Sequence, residues 1–438
     1  MTFCILLSLP GSRPKAWQSK RYGLSTTRAA RRCRCAGRLH RLQRNHLIIR
    51  ACEHEEQDRM GPASKEADAA KTSGESGNSN PATGEAATVD SFDGYDLVLH
   101  SPSKINVFLR VLQRRPDGFH EVATVMQAIS LTDRMGFQEL PSSAADDILE
   151  CDNARVPLDK SNLIVKALET FRLQTGQRKY YRVRIEKQIP MEAGLGGGSG
   201  NAATALFAAN RLCGQPATNE DLIRWAGEVG SDAAFFFSRG SAYCTGRGEQ
   251  LHPMQPLAPA HLYVIKPKGI GLSTAAVYSA LDVNSLNQQG LLDPNMLREQ
   301  IERHGPFLSP LVNDLEEPAF ALVPLLRDLK AFIESFGFRR ALMSGSGTSF
   351  FALGFPDSRY GNRFKDTFAV QSRLQVGPLM KLFQDGVDVF ECRFIRRYSD
   401  DRWYMERPPL ESSDSVSKRQ APPFPLSQQS PVPKNPHH

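Results

Sequence analysis

Several ordinary signatures are missing from this 438-residue chain. No stretch approaches the roughly eighteen consecutive apolar residues of a membrane-crossing helix, so none is expected. The eight cysteines, Cys4, Cys33, Cys35, Cys52, Cys151, Cys213, Cys244 and Cys392, include no C-x-x-C pair. That spacing excludes the usual zinc sites, and the scatter suits buried thiols in a reducing compartment better than a disulfide frame. Gly-Lys-Ser/Thr does not occur, which excludes the P-loop. Counting from Gly194 or Gly196 does not give G-x-G-x-x-G, which excludes the dinucleotide fingerprint. Residues 1–50 contain no Asp or Glu at all. Twelve of the 54 Lys and Arg fall there, leaving 42 against 47 Asp and Glu in the remainder, a net of about −5. The overall charge of +7 therefore belongs to the N-terminus, and the mildly acidic body gives no argument for nucleic-acid binding.

The acid-free, Arg-, Ser- and Ala-rich residues 1–50 have the composition of an organelle transit peptide. Residues 51–93 are dominated by Glu, Ser, Gly, Ala and Asn, and read as a disordered linker. From 406 to 438 Pro, Ser, Gln and Lys prevail, and a disordered tail is expected.

The informative stretch is Pro190-Met191-Glu192-Ala193-Gly194-Leu195-Gly196-Gly197-Gly198-Ser199-Gly200-Asn201. Strand-type residues 180–189 lead in, and an alanine-rich helical run, 202–212, leads out. The glycines thus fall on a strand-to-helix connection. A helix start offers unpaired N–H groups and a partial positive charge, and glycine lets backbone approach a ligand closely. Together these make a seat for phosphate oxygens. A plain flexible hinge is the alternative, but it needs neither a preceding strand nor an immediate helix.

Before this stretch, 96–100 and 104–112 read as two strands. Ile105, Val107, Leu109 and Val111 share one face of the second, with Lys104 and Asn106 opposite. Arg115-Pro-Asp-Gly118 is a turn. Residues 121–131 and 134–140 read as two further strands. A helix spans 162–175, with Gly176 as its stop. After the glycine stretch, 219–228 forms a helix, Gly230-Ser231-Asp232 breaks into the apolar run 233–237, and short strands cover 241–245 and 249–252. A second unit opens with a strand at 261–266 and a helix at 274–281. Residues 282–312 read as loop-rich. Asn313 heads one long helix reaching Phe336, followed by a strand at 340–343, the small-residue loop Ser344-Gly-Ser-Gly-Thr-Ser349 and a strand at 350–354. Residues 355–386 look inserted, and 387–397 is a last strand.

Four motifs then agree in order: Ser101-Pro-Ser-Lys-Ile-Asn106, Arg115-Pro-Asp-Gly-Phe-His120, Pro190 to Ala203, and Gly230-Ser-Asp232. Asn313-Asp-Leu-Glu316 and Ser344-Gly-Ser-Gly347 support them. In these the chain resembles the GHMP small-molecule kinases, over about residues 97–354 and again over 387–404. Within that superfamily it resembles the branch acting on a cytidyl-diphospho sugar alcohol of the non-mevalonate isoprenoid route.

The resemblance implies an α+β, two-domain fold. Residues 94–260 would form an ATP-binding domain like the second domain of ribosomal protein S5. Residues 261–405 would form a ferredoxin-like domain carrying the 355–386 insertion. It also implies ATP with Mg²⁺, and a small-molecule acceptor rather than nucleic acid or membrane. Lys104 and Asp232 would be catalytic, Pro190 to Gly200 would hold the triphosphate, and Ser199 would add a hydroxyl to phosphate or metal. Asn106, Phe119, His120, Thr274 and Tyr278 would hold the acceptor and its base. Taken singly, Lys104 reads as an exposed strand lysine, Asp232 as a cap, Phe119 and Tyr278 as core and His120 as a structural histidine. Gly200 replaces a serine frequent in the family, which would remove a hydroxyl near the phosphates. A kinase for another small alcohol, homoserine or a mevalonate derivative, stays open at this point. So does a non-catalytic binding or regulatory protein on the same fold.

Overall fold

Period-two alternation along strand β7 (His261–Pro267) shows how the layers are stacked. Leu262 and Val264 face one core, while Tyr263 and Ile265 face another. The computed structural model describes residues 92–406, apart from 284–285, 287–291, 361–363, 374 and 376. The expected transit peptide, nearly all of the linker and the tail beyond Glu406 lie outside these residues.

The N-terminal half is built on two long strands, β1 (Leu97–Arg114) and β2 (His120–Glu139), paired antiparallel along their length. Each was expected as two strands. Register shifts at Pro102/Ser103, Asn106/Phe108 and Val111/Gln113 absorb the irregularities that break the sequence pattern. The shift after Asn106 also corrects the expected single apolar face. Ile105 and Val107 pack between the sheets, whereas Leu109 and Val111 pack beneath the C-terminal helices. A strand absent from the sequence reading, β3 (Ile148–Cys151), runs parallel to β4 (Tyr181–Glu186). With β5 (Ser241–Thr245) and β6 (Gln250–Pro253) these make a six-stranded sheet of order β3-β4-β2-β5-β6, β1 pairing with β2.

Its outer face is covered by α1 (Leu163–Thr175), α2 (Gly197–Leu212) and α3 (Asn219–Val229). Helix α1 starts where the Asn162 side chain accepts from the Ile164 N–H, and it stops at left-handed Gly176. The apolar run after Asp232 is a buried 3-10 turn, Ala234–Phe237.

The C-terminal half comprises β7, α4 (Thr274–Ser279), α5 (Pro294–His304), α6 (Glu316–Leu322), α7 (Leu325–Glu334), β8 (Arg340–Met343), β9 (Phe350–Leu353), α8 (Phe364–Arg373), α9 (Pro378–Asp385) and β10 (Val387–Arg393). Its sheet runs β10-β7-β9-β8 with every pair antiparallel, the ferredoxin-like order expected. The structure refines three expectations. The single helix to Phe336 is two, because Pro324 cannot donate to an α-helical ladder. The loop-rich stretch 282–312 carries α5, capped by Asp293 with Pro294 in its first turn. Residues 355–386, which look inserted in the sequence, are built into the fold. They carry α8 and α9, the return crossover from β9 to β10, and Phe364, Phe368 and Leu382 complete the C-terminal core.

The inner faces of the two sheets meet in a shared core. Ile105, Val107, Val125 and Ile129 from one contact the layer holding Leu262, Val264, Phe351 and Leu353 from the other. The cleft described next opens beside this contact.

Candidate active site

Helix α2 begins five residues earlier than its alanine run suggests. Gly196, at φ 66°, is its N-cap and supplies no capping side chain, so Gly197, Gly198, Ser199 and Gly200 form the first turn. The first turn's free N–H groups therefore face whatever lies beyond the loop. Two close approaches explain the preceding glycines. A Cβ on Gly194 would fall 1.9 Å from the Ser344 carbonyl oxygen, and one on Gly196 would fall 3.0 Å from Lys104 Cγ. The loop is stitched to both halves by Lys104 N–H to Leu195 O (2.9 Å) and Ser344 Oγ to Gly194 O (3.0 Å).

Asp133 anchors the loop's entry from below. Its fully buried carboxylate pairs with Lys187 and accepts the Gln188 and Ile189 N–H groups (2.8 Å each) and Asn201 Nδ2 (2.9 Å). Asp133 and Lys187 were not singled out from sequence. Lys187 three positions before Pro190 was the available signal. Asp133 sits mid-strand and gave none.

Lys104 projects from β1 with its side chain 4% exposed. Nζ donates to Asn106 Oδ1 at 2.6 Å and lies 3.2 Å from Asp232 Oδ2. Asn106 Nδ2 donates onward to Thr124 Oγ1 (2.9 Å), which donates to Phe108 O (2.5 Å). Asp232 is held between the end of α3 and the buried 3-10 turn, and its side chain stays 29% exposed. The two residues are remote in sequence, yet share one ion pair beside the uncapped helix start.

A cleft of about 1540 Å³ runs past this pair. Of the residues expected at a site, Lys104, Asn106, Phe119, His120, Pro190 to Ser199, Asp232, Thr274 and Tyr278 line it. Gly200 does not. Its N–H is spent on Gly196 O (2.8 Å), and a Cβ there would meet Pro102 O at 2.3 Å. The expected loss of a hydroxyl near the phosphates is therefore corrected: position 200 faces the protein, and a side chain on it points away from the cleft.

At the far end His120 and Tyr278 stack, with ring centroids 4.8 Å apart. Phe119 is 52% exposed, with the Arg247 guanidinium 5.0 Å from its ring. Phe119 is therefore no core residue, whereas Tyr278 is half-buried and packs against the C-terminal core while lining the cleft. Burial, then the positive charge of Arg114, holds the His120 imidazole below its ordinary pKa and favours the neutral ring. Burial, then Asp232 and Asp314, pushes the Tyr278 phenol up, so it is a neutral donor. Thr274 Oγ1 and Ser346 Oγ, 3.0 Å apart, tie the start of α4 to the second small-residue loop. Chemically, the cleft joins an anion seat, a Lys–Asp pair and a flat, neutral, aromatic end.

Comparison with known proteins agrees with this geometry. Residues 162–240 match the GHMP kinases N terminal domain and 289–367 the GHMP kinases C terminal domain. The 4-diphosphocytidyl-2-C-methyl-D-erythritol kinase of Mentha piperita, named chloroplastic, is 41% identical over 73% of this chain and 75% of its own length. The enzyme of that name from Protochlamydia amoebophila is 39% identical over 72% of this chain and 96% of its own. A crystal structure of 4-(cytidine 5'-diphospho)-2C-methyl-D-erythritol kinase superposes with a TM-score of 0.53 at 30% identity, covering 68% of this chain and 98% of that one. The chain belongs to the GHMP kinases and, among them, to the 4-diphosphocytidyl-2-C-methyl-D-erythritol kinase family.

Proposed function

We propose that this protein transfers the γ-phosphoryl group of ATP to the 2-hydroxyl of 4-diphosphocytidyl-2-C-methyl-D-erythritol, a step in isoprenoid precursor synthesis. The observation that carries the reading is the 3.2 Å Lys104–Asp232 pair beside the uncapped start of α2. Phosphoryl transfer asks a protein mainly for alignment and charge stabilisation. The loop from Pro190 to Ser199 seats the triphosphate on backbone N–H groups. Asp232 accepts the proton of the acceptor hydroxyl. Lys104 keeps Asp232 ionised and balances charge on the moving phosphoryl group. Asn106 holds the Lys104 ammonium in place through its 2.6 Å hydrogen bond. Phe119, His120 and Tyr278 receive the cytosine ring, and Thr274 contacts the acceptor.

Mg²⁺ would arrive with ATP and offset charge on its phosphate oxygens. Among the described residues no group of three or more His, Cys, Asp or Glu is gathered as a cage. That suits an ion held by substrate phosphates and water, with the Ser199 hydroxyl as the one protein ligand we assign. The acid-free first fifty residues, together with plant relatives named chloroplastic, support import into a plastid and residence in its stroma. A reporter fused to residues 1–60 should enter plastids, and cytosolic signal would contradict this.

The activity test is ADP release from the purified chain with ATP, Mg²⁺ and single candidate alcohols. Release is expected with the cytidyl-diphospho alcohol and not with homoserine or mevalonate; the reverse pattern overturns the assignment. Asp232→Asn should lower turnover by about 10²- to 10⁴-fold while leaving ATP binding near wild type. Unchanged turnover would remove Asp232 from the reaction.

A further inference from the structure

One cation of the cleft has no part in the chemistry described so far. Lys104 is engaged by Asn106 and Asp232, and Lys187 by Asp133, both beside the glycine loop. Arg247 lies elsewhere, at the tip of the Gly246-Arg247-Gly248 turn joining β5 to β6.

That turn is fixed at its base. Val122 N–H donates to Gly246 O (2.7 Å), Gly246 N–H to Glu121 Oε1 (3.1 Å) and Gly248 N–H to Thr245 O (3.1 Å). Gly246 and Gly248 have φ of 72° and 114°, conformations that keep the turn tight. On one side the Arg247 guanidinium reaches to 5.0 Å from the Phe119 ring. On the other, Gly248 presents no side chain, and Asp232 Oδ1 lies 3.5 Å from where its Cβ would be. The turn therefore spans the interval between the aromatic end and the Lys–Asp pair. Its carboxylate neighbour pairs with it only loosely: Glu249 Oε2 takes the Arg247 backbone N–H at 2.6 Å and is 3.8 Å from Nε, an ion pair beyond hydrogen-bond range.

We infer that Arg247 is the diphosphate-binding residue of the acceptor site. The inference rests on the substrate reading above. In a cytidyl-diphospho alcohol the two phosphates link the nucleoside to the reacting alcohol, so they fall between the two ends that this turn bridges. A planar guanidinium meets two phosphate oxygens at once, which a lysine does not. The other cation at that end, Arg114, pairs in register with His120 at the end of β1 and so belongs to the base, not the interval. Arg247 would also discriminate against simple alcohols, which carry no diphosphate to repay its desolvation.

The test is calorimetric titration of the full chain, saturated with Mg²⁺ and a non-hydrolysable ATP analogue so that the ATP seat is filled. Cytidine and cytidine 5'-diphosphate are the two probes. The wild type should bind the diphosphate about ten- to a hundredfold more tightly than cytidine, the range for charge-assisted hydrogen bonds. Arg247→Met should close that gap to within about threefold with cytidine affinity unchanged, and Arg247→Lys should fall between. A gap in Arg247→Met equal to that of the wild type overturns the inference, and so does an equal loss for both probes. If the wild type binds cytidine with no gain from the diphosphate, Arg247 alone is misassigned. If it binds neither, the cytidyl reading fails with it.

Discussion

Gly196 answers to two constraints at one atom. Its φ of 66° disfavours any L side chain by about 1–2 kcal/mol, and an added Cβ would press on the Lys104 stem at 3.0 and 3.1 Å. Gly196→Ala should therefore injure chemistry more than folding. We expect kcat to fall at least about tenfold and the KM for ATP to rise, with a melting temperature only a few degrees lower; steady-state kinetics beside a thermal melt checks this. His120 carries a pH prediction. Its pKa is lowered by burial and Arg114, so the folded protein resists protonation there more than the unfolded chain does. The neutral ring, and with it base recognition, should persist from alkaline pH down through the ordinary imidazole value of about 6.5. Below that, protonation beside Arg114 weakens both binding and stability. The KM for the cytidyl substrate should be flat above about pH 6.5 and rise beneath it. His120→Gln should raise KM overall and flatten the acid limb; an unaltered profile would take His120 out of the base site.

At the scale of elements, the Asn313-Asp-Leu-Glu316 motif works as a clamp on the second small-residue loop. Asn313 Nδ2 donates to Met343 O and Gly345 O (2.8 Å each), and its Oδ1 accepts the Leu315 N–H (3.0 Å). Glu316 accepts the Met343 N–H (2.8 Å), and Asp314 holds Arg110 and the Val111 N–H (2.8 Å each). Gly345 in turn sits where a Cβ would be 3.5 Å from Lys104 Nζ. Asn313→Ala leaves three buried backbone groups without their partner, so a loss of about 2–4 kcal/mol is expected in urea unfolding, with a fall in kcat. A stability change under about 1 kcal/mol would mean the clamp is dispensable.

Element ends were legible where a local side chain sets them, as Asn162 and Gly176 do for α1. They were illegible where tertiary contact overrides propensity. Three glycines open α2 because Gly200 must pass the Pro102 carbonyl and the alanine face must pack on the sheet. Strands β1 and β2 read as four because a bulge at Pro102 and the buried polar Asp133 interrupt their alternation. The ends of α5 do carry local signals, Asp293 before Pro294 and Gly305 after His304.

Across the whole molecule, the meeting of Lys104 with Asp232 was legible only through family resemblance, since no periodicity relates residues so far apart. A second long-range joint had no such signal. After β10 the chain leaves the C-terminal sheet and returns to the N-terminal half. There Arg397, 1% exposed, donates to Phe237 O and Asn219 Oδ1 (2.9 Å each), to Arg402 O (2.8 Å) and to Asp400 O. Trp403, fully buried, stacks on Phe207 with centroids 4.6 Å apart, and Arg211 pairs with Glu406 at 2.6 Å. This strap and the core shared by the two sheets both join the halves. Arg397→Met would keep most of the aliphatic packing but strand the buried Phe237 carbonyl of the 3-10 turn and the half-buried Asn219 amide oxygen on α3, at a cost of about 3 kcal/mol. The wild type should unfold in urea with coincident transitions by tryptophan emission and far-ultraviolet circular dichroism. In Arg397→Met the emission transition should move to lower urea and separate from the other, because Trp225 and Trp403 both sit in the core that loses its strap. Coincident curves with an unmoved midpoint would show that the returning segment decorates the N-terminal half without holding it to the rest.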